Sequence, residues 1–353
     1  MMRSTRKRET TLNSRLWRSP LIFSRVTRIA TRFPVRIIVF AALLALTGQG
    51  GARGTIEPGE EIEILTTFQP LFSFATAVAA GSPRIRVTNL APPGVGPHEY
   101  DPRAEAFHPA FAGAVRRATA IVTLRTVSLS PLFDLLYPLA RKEKIYIVEI
   151  DPAARWTPEE PRLPFLRNPV DSRHGEPTEE INPHLWLSLS IAAILVERMG
   201  EEFAALDPGN GARYRQNAAR YAGRLRKLRA RYAEKFSELD LPPLVALTEA
   251  FPYLTTDFDF AVADYILSPH SPQEIGERIE AAHAALVLAE TLPPEEVRRI
   301  IAAQGARLCI LDTLEKGRGT GNDLDPAGYL EGMTENLEKL YRAIVEIPDG
   351  GEE

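Results

Sequence analysis

The sequence predicts an α/β protein of two lobes, each a mostly parallel sheet flanked by helices, joined by a long rigid linking helix. Three observations carry this prediction. Short apolar runs alternate with helix-length segments between residues 62 and 150, the pattern of βαβ units. The same alternation restarts at residue 244. Between the two blocks, Tyr214, Ala218, Tyr221, Leu225, Leu228, Tyr232 and Phe236 recur at three- and four-residue spacing, one apolar stripe on a long, otherwise polar helix. At 353 residues the chain is too long for one typical core. Hydrophobic residues at 44% and charged residues at 25% set disorder aside.

The N-terminus comes first. Residues 1–36 hold ten Lys and Arg against one acid, Glu9. An uncharged apolar run follows over 37–46, then small residues over 47–54. Basic region, short apolar core and small-residue exit are the parts of a secretory signal peptide. The run is shorter than the ~20 residues of a spanning helix, and an uncleaved membrane anchor is the alternative reading. Taking those ten bases and one acid from the totals of 42 and 46 leaves 32 basic and 45 acidic residues, a net charge of −13. An acidic surface of that size argues against nucleic acid as a partner. The single cysteine, Cys309, lies in an apolar run and reads as a small hydrophobe. No cysteine stands at the leader exit, so a bacterial lipid anchor is not expected. The expectation is an exported, soluble, periplasmic monomer.

In the N-terminal lobe, 62–66 reads as a strand, 70–80 as a helix ended by Gly81, and 84–90 as a second strand running into the loop that holds His98. Helix 104–117, strand 120–124, helix 131–141 and strand 144–150 follow. Residues 151–183 are irregular and rich in proline, a long connection of the functional or mobile kind. A helix begins near His184 and runs to about 205. The stripe helix covers about 210–239, either as a brace between lobes or as an ordinary packed helix. In the C-terminal lobe come strand 244–247, helix 250–257 and a capping box at Ser271-Pro-Gln-Glu274 opening a helix to 284. Strand 285–289, helix 293–304, strand 307–311, a Gly- and Asp-rich loop and a last helix over 326–347 complete it. The boundaries are 1–54 for the leader, 55–206 for the N-terminal lobe, 207–240 for the linking helix, 241–347 for the C-terminal lobe and 348–353 for an acidic tail.

Enzyme signatures are missing: no HExxH pair, no G-x-S-x-G elbow, no Walker loop, no strand-following GxGxxG. Metal ligands are the better place to look, since imidazole and carboxylate suit Zn²⁺ and Mn²⁺. His98 ends a loop on the C-terminal side of a strand, where open α/β sheets bind ligands. His184 opens a helix behind Asn182-Pro183. Two distant loops can thus bring imidazoles to one point.

The segments Thr66-Thr-Phe-Gln-Pro-Leu-Phe72, Leu90-Ala-Pro-Pro-Gly-Val-Gly-Pro-His-Glu-Tyr100 and Asn182-Pro-His-Leu-Trp-Leu187 resemble the zinc and manganese solute-binding proteins of ABC importers. The resemblance continues through the linking helix, Thr248-Glu-Ala-Phe-Pro-Tyr-Leu254 and Tyr329-Leu-x-x-Met-x-x-Asn-Leu337, and covers roughly residues 60–345. It implies a four-ligand site between the lobes holding one divalent ion, Zn²⁺ or Mn²⁺, for delivery to membrane permease subunits. His98 and His184 carry over directly, and the family's aspartate maps to Asp312. At the third position relatives place a histidine or glutamate where this chain has Thr248; Glu249, one residue later, is the ligand expected instead, with Thr248 left open. Two imidazoles and two carboxylates move preference towards Mn²⁺ or Fe²⁺, although Zn²⁺ binds most sites more tightly. Glu290, ending a strand, is a candidate supporting residue behind the ligands. His108, His270 and His283 read as structural or solvent-exposed, and His174 is the one imidazole of the loop before His184. The alternatives are an adhesion or sensor scaffold with a degenerate site, or a metallohydrolase with an open coordination position.

Overall fold

The computed structural model describes residues 60–97, 109–127, 147–154, 162–320 and 323–347. The leader, His98, His108, the helix expected over 131–141 and the tail lie outside the described residues.

In the N-terminal half β1 (Ile62–Thr66) leads to helix α1 (Gln69–Ala79) and β2 (Ile85–Asn89), then α2 (Pro109–Arg117), β3 (Ala118–Val122) and β4 (Val148–Ile150). All pairings are parallel and the order is β2-β1-β3-β4. Every residue of β1 is buried, as a central parallel strand covered on both faces should be. After two long helices, α3 (Leu189–Leu206) and α4 (Gly211–Ser237), the second half repeats the plan. It runs β5 (Leu244–Ala246), α5 (Pro252–Asp257), β6 (Val262–Tyr265), α6 (Pro272–Ala281), β7 (Leu286–Ala289), α7 (Glu295–Ala303) and β8 (Arg307–Ile310). This sheet is also parallel, ordered β6-β5-β7-β8. A two-stranded hairpin, β9 (Gly319–Thr320) with β10 (Asp323–Leu324), precedes the last helix, α8 (Gly328–Val345).

Sequence reading did not foresee β6. It is the edge strand, half exposed, and its Asp264 interrupts the apolar pattern because it pairs with Arg278. The N-cap half of the capping box formed: Ser271 Oγ accepts from Glu274 N at 3.3 Å, while the Glu274 carboxylate accepts from His270 N, one residue earlier than the motif requires, at 2.9 Å. The described residues 162–183 of the connection are tied down. Arg167 and Ile181 form an antiparallel bridge, and Leu166 N donates to Tyr253 Oη at 2.9 Å. Among the described residues no helix is long and apolar enough to cross a membrane.

Helix α4 touches both halves. Near its start Tyr214 Oη donates to Asp207, and near its end Phe236 packs edge-to-face on Phe258 and Phe260 at 5.4 and 5.1 Å. One apolar cluster runs from Ile64 and Phe74 through Trp186 and Tyr329 to Leu244 and Leu288. The outer faces of the two sheets carry smaller clusters, around Leu65 and Val115 and around Val245 and Ile301.

Asp171, 3% exposed, ties the 162–183 connection to the second sheet. Its Oδ1 meets Arg278 Nη1 at 2.8 Å, and its Oδ2 accepts from Leu267 N and Ser268 N at 2.7 and 3.1 Å. Burial alone would raise this carboxyl, but the backbone donors of Ser268, Arg173 and Leu267, with the Arg278 guanidinium, outweigh it and hold it far below the carboxylate range. A carboxyl whose folded pKa is depressed stabilises fully above its unfolded value of ~3.9 and loses that contribution as pH falls below it.

Three predictions follow from this packing. Urea midpoints should fall between pH 5 and pH 3 in the parent protein, and Asp171→Asn should lower the midpoint at pH 7 while flattening that acid limb. At Gly200 in α3 an added Cβ would meet Ala218 Cβ at 2.6 Å, so Gly200→Ala should cost about 1–3 kcal/mol in urea unfolding. Gly223 in α4 has nothing within 4 Å of such a Cβ, so Gly223→Ala should instead stabilise by about 0.4–1 kcal/mol.

Candidate metal centre

In each sheet the chain reverses its order between the first and third strands, β1/β3 and β5/β7. The carboxyl ends at such switch points are where open parallel sheets leave a crevice for ligands. In the second lobe, Thr248 lies two residues beyond β5 and Glu290 directly beyond β7. Leu247 N donates to Leu288 O at 2.8 Å, carrying the ladder to the rim. The Thr248 hydroxyl then reaches the Glu290 carboxylate across the strand ends.

From the first lobe comes the loop after β2. Asn89 Nδ2 donates to Ala91 O at 2.7 Å, and Gly94 N donates to Gly317 O at 3.0 Å. Gly94 has φ +83°, a left-handed conformation that glycine alone adopts without strain. A Cβ at Gly96 would stand 3.5 Å from Glu315 Cβ and Oε2, so this backbone lies on Glu315 two residues before His98.

His184, 7% exposed, precedes a 3₁₀ turn over Leu185–Leu187. Asn182 fixes it. The amide Nδ2 donates to Glu249 O at 2.7 Å, which turns Oδ1 towards His184, where it accepts from the backbone N at 3.0 Å and meets Nδ1 at 3.1 Å. An acceptor at Nδ1 selects the tautomer protonated there and leaves Nε2 as the donor atom for a metal. Nε2 faces Glu315 Oε1 at 3.0 Å, both side chains being under 10% exposed.

Glu315 is brought there by a constrained turn. Trp186 Nε1 donates to Thr313 O at 2.8 Å. The buried Asn336 accepts from Asp312 N at 2.9 Å and donates to Asp312 O at 2.7 Å. Asp312 Oδ1 accepts from Leu314 N at 2.7 Å, an Asx turn. Leu314 sits at φ +62° with its side chain buried beside Gly332, where a Cβ would strike it. Such a backbone costs of order 1–3 kcal/mol and persists only where its surroundings over-determine it.

Of the expected ligands, His184 faces Glu315 and His98 lies outside the described residues. Two others are placed differently from expectation. Glu249 is exposed, and its backbone carbonyl rather than its carboxylate joins the network. Asp312 spends one oxygen on the Asx turn and the other on Arg318 Nη2 at 3.2 Å, with 37% of its side chain in water. Glu315 was not anticipated. Its signal was an acid three residues past Asp312, and only the left-handed Leu314 turns it inward. Glu290 is also in the network: burial and the Glu315 charge push its carboxyl up, against the pull of His184, Lys316 and the Thr248 hydroxyl. As a residue Glu290 is exposed, so the burial is partial. A cavity of about 170 Å³ beside it is lined by Glu290, Asp312, Lys316 and Lys339. A larger cavity of about 480 Å³, lined by Arg125, Glu149 and Asp151, shares no residue with this centre.

The sequence profile described as ZnuA, zinc-uptake complex component A, periplasmic, matches residues 64–343. The chain belongs to the ZnuA family. A putative metal-binding protein of Treponema pallidum is 24% identical over 293 residues, covering 80% of this chain and 87% of that protein. The zinc-binding lipoprotein AdcA of Streptococcus pneumoniae is 28% identical over 310 residues, 86% of this chain but 56% of AdcA's own length. Among solved structures, the solute-binding protein FpvC of Pseudomonas aeruginosa in complex with Mn²⁺ superposes with a TM-score of 0.62 at 25% identity, covering 81% of this chain and 99% of that one. ZnuA-family proteins are the metal-binding components of importers and not enzymes, so the hydrolase alternative finds no support.

In this ZnuA-family chain the Trp186–Thr313 bond should matter beyond its area. Trp186→Phe leaves a buried carbonyl unsatisfied and should cost at least about 1–3 kcal/mol in urea unfolding.

Proposed function

We propose that this chain captures Zn²⁺ or Mn²⁺ in the crevice between its two lobes and hands the ion, as a monomer, to the membrane permease of an ABC importer. The leader over 1–54 directs it to the periplasm, and the lobes over 55–206 and 241–347 form the crevice. The observation that carries the reading is the His184–Glu315 pair, 3.0 Å apart and nearly dry, beneath the loop that leads to His98. His98 and His184 supply the imidazoles and Glu315 the buried carboxylate. Glu290, steadied by Thr248, is the second carboxylate of this set. Asp312 holds the turn that presents Glu315, and Glu249 orients His184 through its backbone and Asn182.

Several features support a divalent cation in particular. Burial first and the Glu315 charge second push the Glu290 carboxyl up, and a dication between the two carboxylates would offset both. A mixed imidazole and carboxylate set accepts Mn²⁺ and Zn²⁺ alike, with Zn²⁺ the tighter ion on ordinary affinity order. Binding requires unprotonated ligands, so affinity falls as the solution is acidified.

The test is calorimetric titration of the chelator-stripped protein with each ion at pH 7. His184→Ala, His98→Ala and Glu315→Gln should each weaken the tight site by about 100-fold or more, whereas Glu249→Ala should change it less than tenfold. Full affinity in Glu315→Gln together with loss in Asp312→Asn would return the fourth position to Asp312. No tight binding of either ion by the parent protein would sink the reading.

A further inference from the structure

A second cluster of metal-ligating side chains lies on the C-terminal lobe, away from the His184 crevice in the hydrogen-bond network. It consists of His174, from the 162–183 connection, with His270 and Glu274 from the entry to α6. One ligand atom from each falls within 4.8 Å of the other two. His174 Nε2 meets Glu274 Oε1 at 2.7 Å, and the two imidazoles stack at 3.8 Å with an interplanar angle of 27°.

The cluster is held by its backbone rather than assembled from free side chains. His174 N and Arg173 N donate to Asp171 Oδ1 at 3.1 and 3.0 Å, in a turn closed by Gly175 N to Asp171 O at 2.9 Å. No side chain fits at Gly175, where a Cβ would stand 2.7 Å from Val170 Cγ1 and 2.8 Å from Asp171 N. The other oxygen of Asp171 holds Leu267 N and Ser268 N, fixing the approach to His270. Glu274 Oε2 accepts from His270 N at 2.9 Å. One buried carboxylate and one capping carboxylate thus set all three ligands.

We propose that His174, His270 and Glu274 form a second site for a borderline divalent ion such as Zn²⁺ or Ni²⁺, clamping the 162–183 connection onto α6. Two imidazoles and one carboxylate suit these ions better than Mn²⁺ or Ca²⁺. Among the described residues the His270 ring nitrogens make no hydrogen bond, so ligation there displaces no protein partner. Nearby cations do not forbid it. Arg278 Nη1 stands 3.6 Å from Glu274 Oε1, but the same guanidinium is matched by Asp171 and Asp264 at 2.8 and 2.7 Å. Arg173, 3.9 Å from Glu274, is shared with Glu277 at 3.5 Å. Three protein ligands leave a position for water, so this site should be weaker than the enclosed crevice.

The experiment counts Zn²⁺ equivalents by calorimetry in the full exported chain and four variants: His184→Ala, His270→Ala, His174→Ala and His184→Ala/His270→Ala. The exposed position of His270 keeps its variant folded, which a thermal melt checks. Two equivalents are expected in the parent and one in His270→Ala and in His174→Ala. His184→Ala should weaken the tighter equivalent by about 100-fold or more and leave the weaker one unchanged, and the double variant should keep only the weakened one. Equal stoichiometry in the parent and both His270→Ala and His174→Ala would overturn the second site. If His184→Ala leaves the tighter affinity unchanged while His270→Ala lowers the count by one, the crevice reading fails and the second site stands.

Discussion

Much of this molecule depends on the indole of Trp186 donating to the carbonyl of Thr313. The bond joins a 3₁₀ turn from the first half of the chain to the exit of β8 in the second, inside the cluster that both sheets share. Its surroundings make it hard to replace. Tyr329 Oη, from α8, donates to Trp186 O at 2.5 Å, and the Tyr329 ring packs edge-to-face on Phe74 of α1 at 4.7 Å. Gln69 at the start of α1 donates to Asp325 O and accepts from Arg318 N, at 2.8 and 2.9 Å. Each bond contributes about 1 kcal/mol net, but a buried partner left unsatisfied costs more than that. His184 and Glu315 are therefore placed by one connected frame, although they are distant in sequence.

The frame carries a local electrostatic cost. Glu315 and His184 are nearly dry, and the partly buried Glu290 carboxyl beside them is pushed up by burial and by the Glu315 charge. A purely structural protein would gain by replacing one of these acids. Retaining them makes sense if a cation is part of the finished state, because the ion turns mutual repulsion into shared attraction. The left-handed Leu314 has the same character: strain kept where the Asx turn of Asp312 and the Asn336 clamp both require it.

How much of this was legible in the sequence depends on range. Strand and helix periods are local, so β1 coincides with the expected 62–66 and α4 with most of 210–239. The edge strand β6 escaped because Asp264 breaks its apolar pattern for the sake of Arg278, fourteen residues on. At the site, His184 could be read from its Pro-His-x-Trp-Leu context. The placing of Asp312, Glu315, Glu249 and Glu290 relative to His184 could not, because it turns on one backbone angle and on the hydrogen bonds of Asn182 and Asn336. Backbone handedness at a leucine leaves no compositional trace. The pairing of His174 with His270 is illegible for the same reason, since it is Asp171 that folds one segment over the other.

The tethers are also distributed unevenly, which bears on how the crevice admits an ion. On one side, the 162–183 connection is bound to the second lobe by the buried Asp171–Arg278 pair, by Leu166 N on Tyr253 Oη and by Asn182 on Glu249 O. Breaking a buried ion pair costs about 3–5 kcal/mol, because it strands a charge. On the other side, the loop before His98 meets the second lobe through Gly94 N on Gly317 O and the packing of Gly96 on Glu315. A bond of that kind contributes only about 1 kcal/mol. Opening that preserves the first set and breaks the second is the cheaper motion by several kcal/mol. His184 and Glu315, 3.0 Å apart, then stay together on one wall.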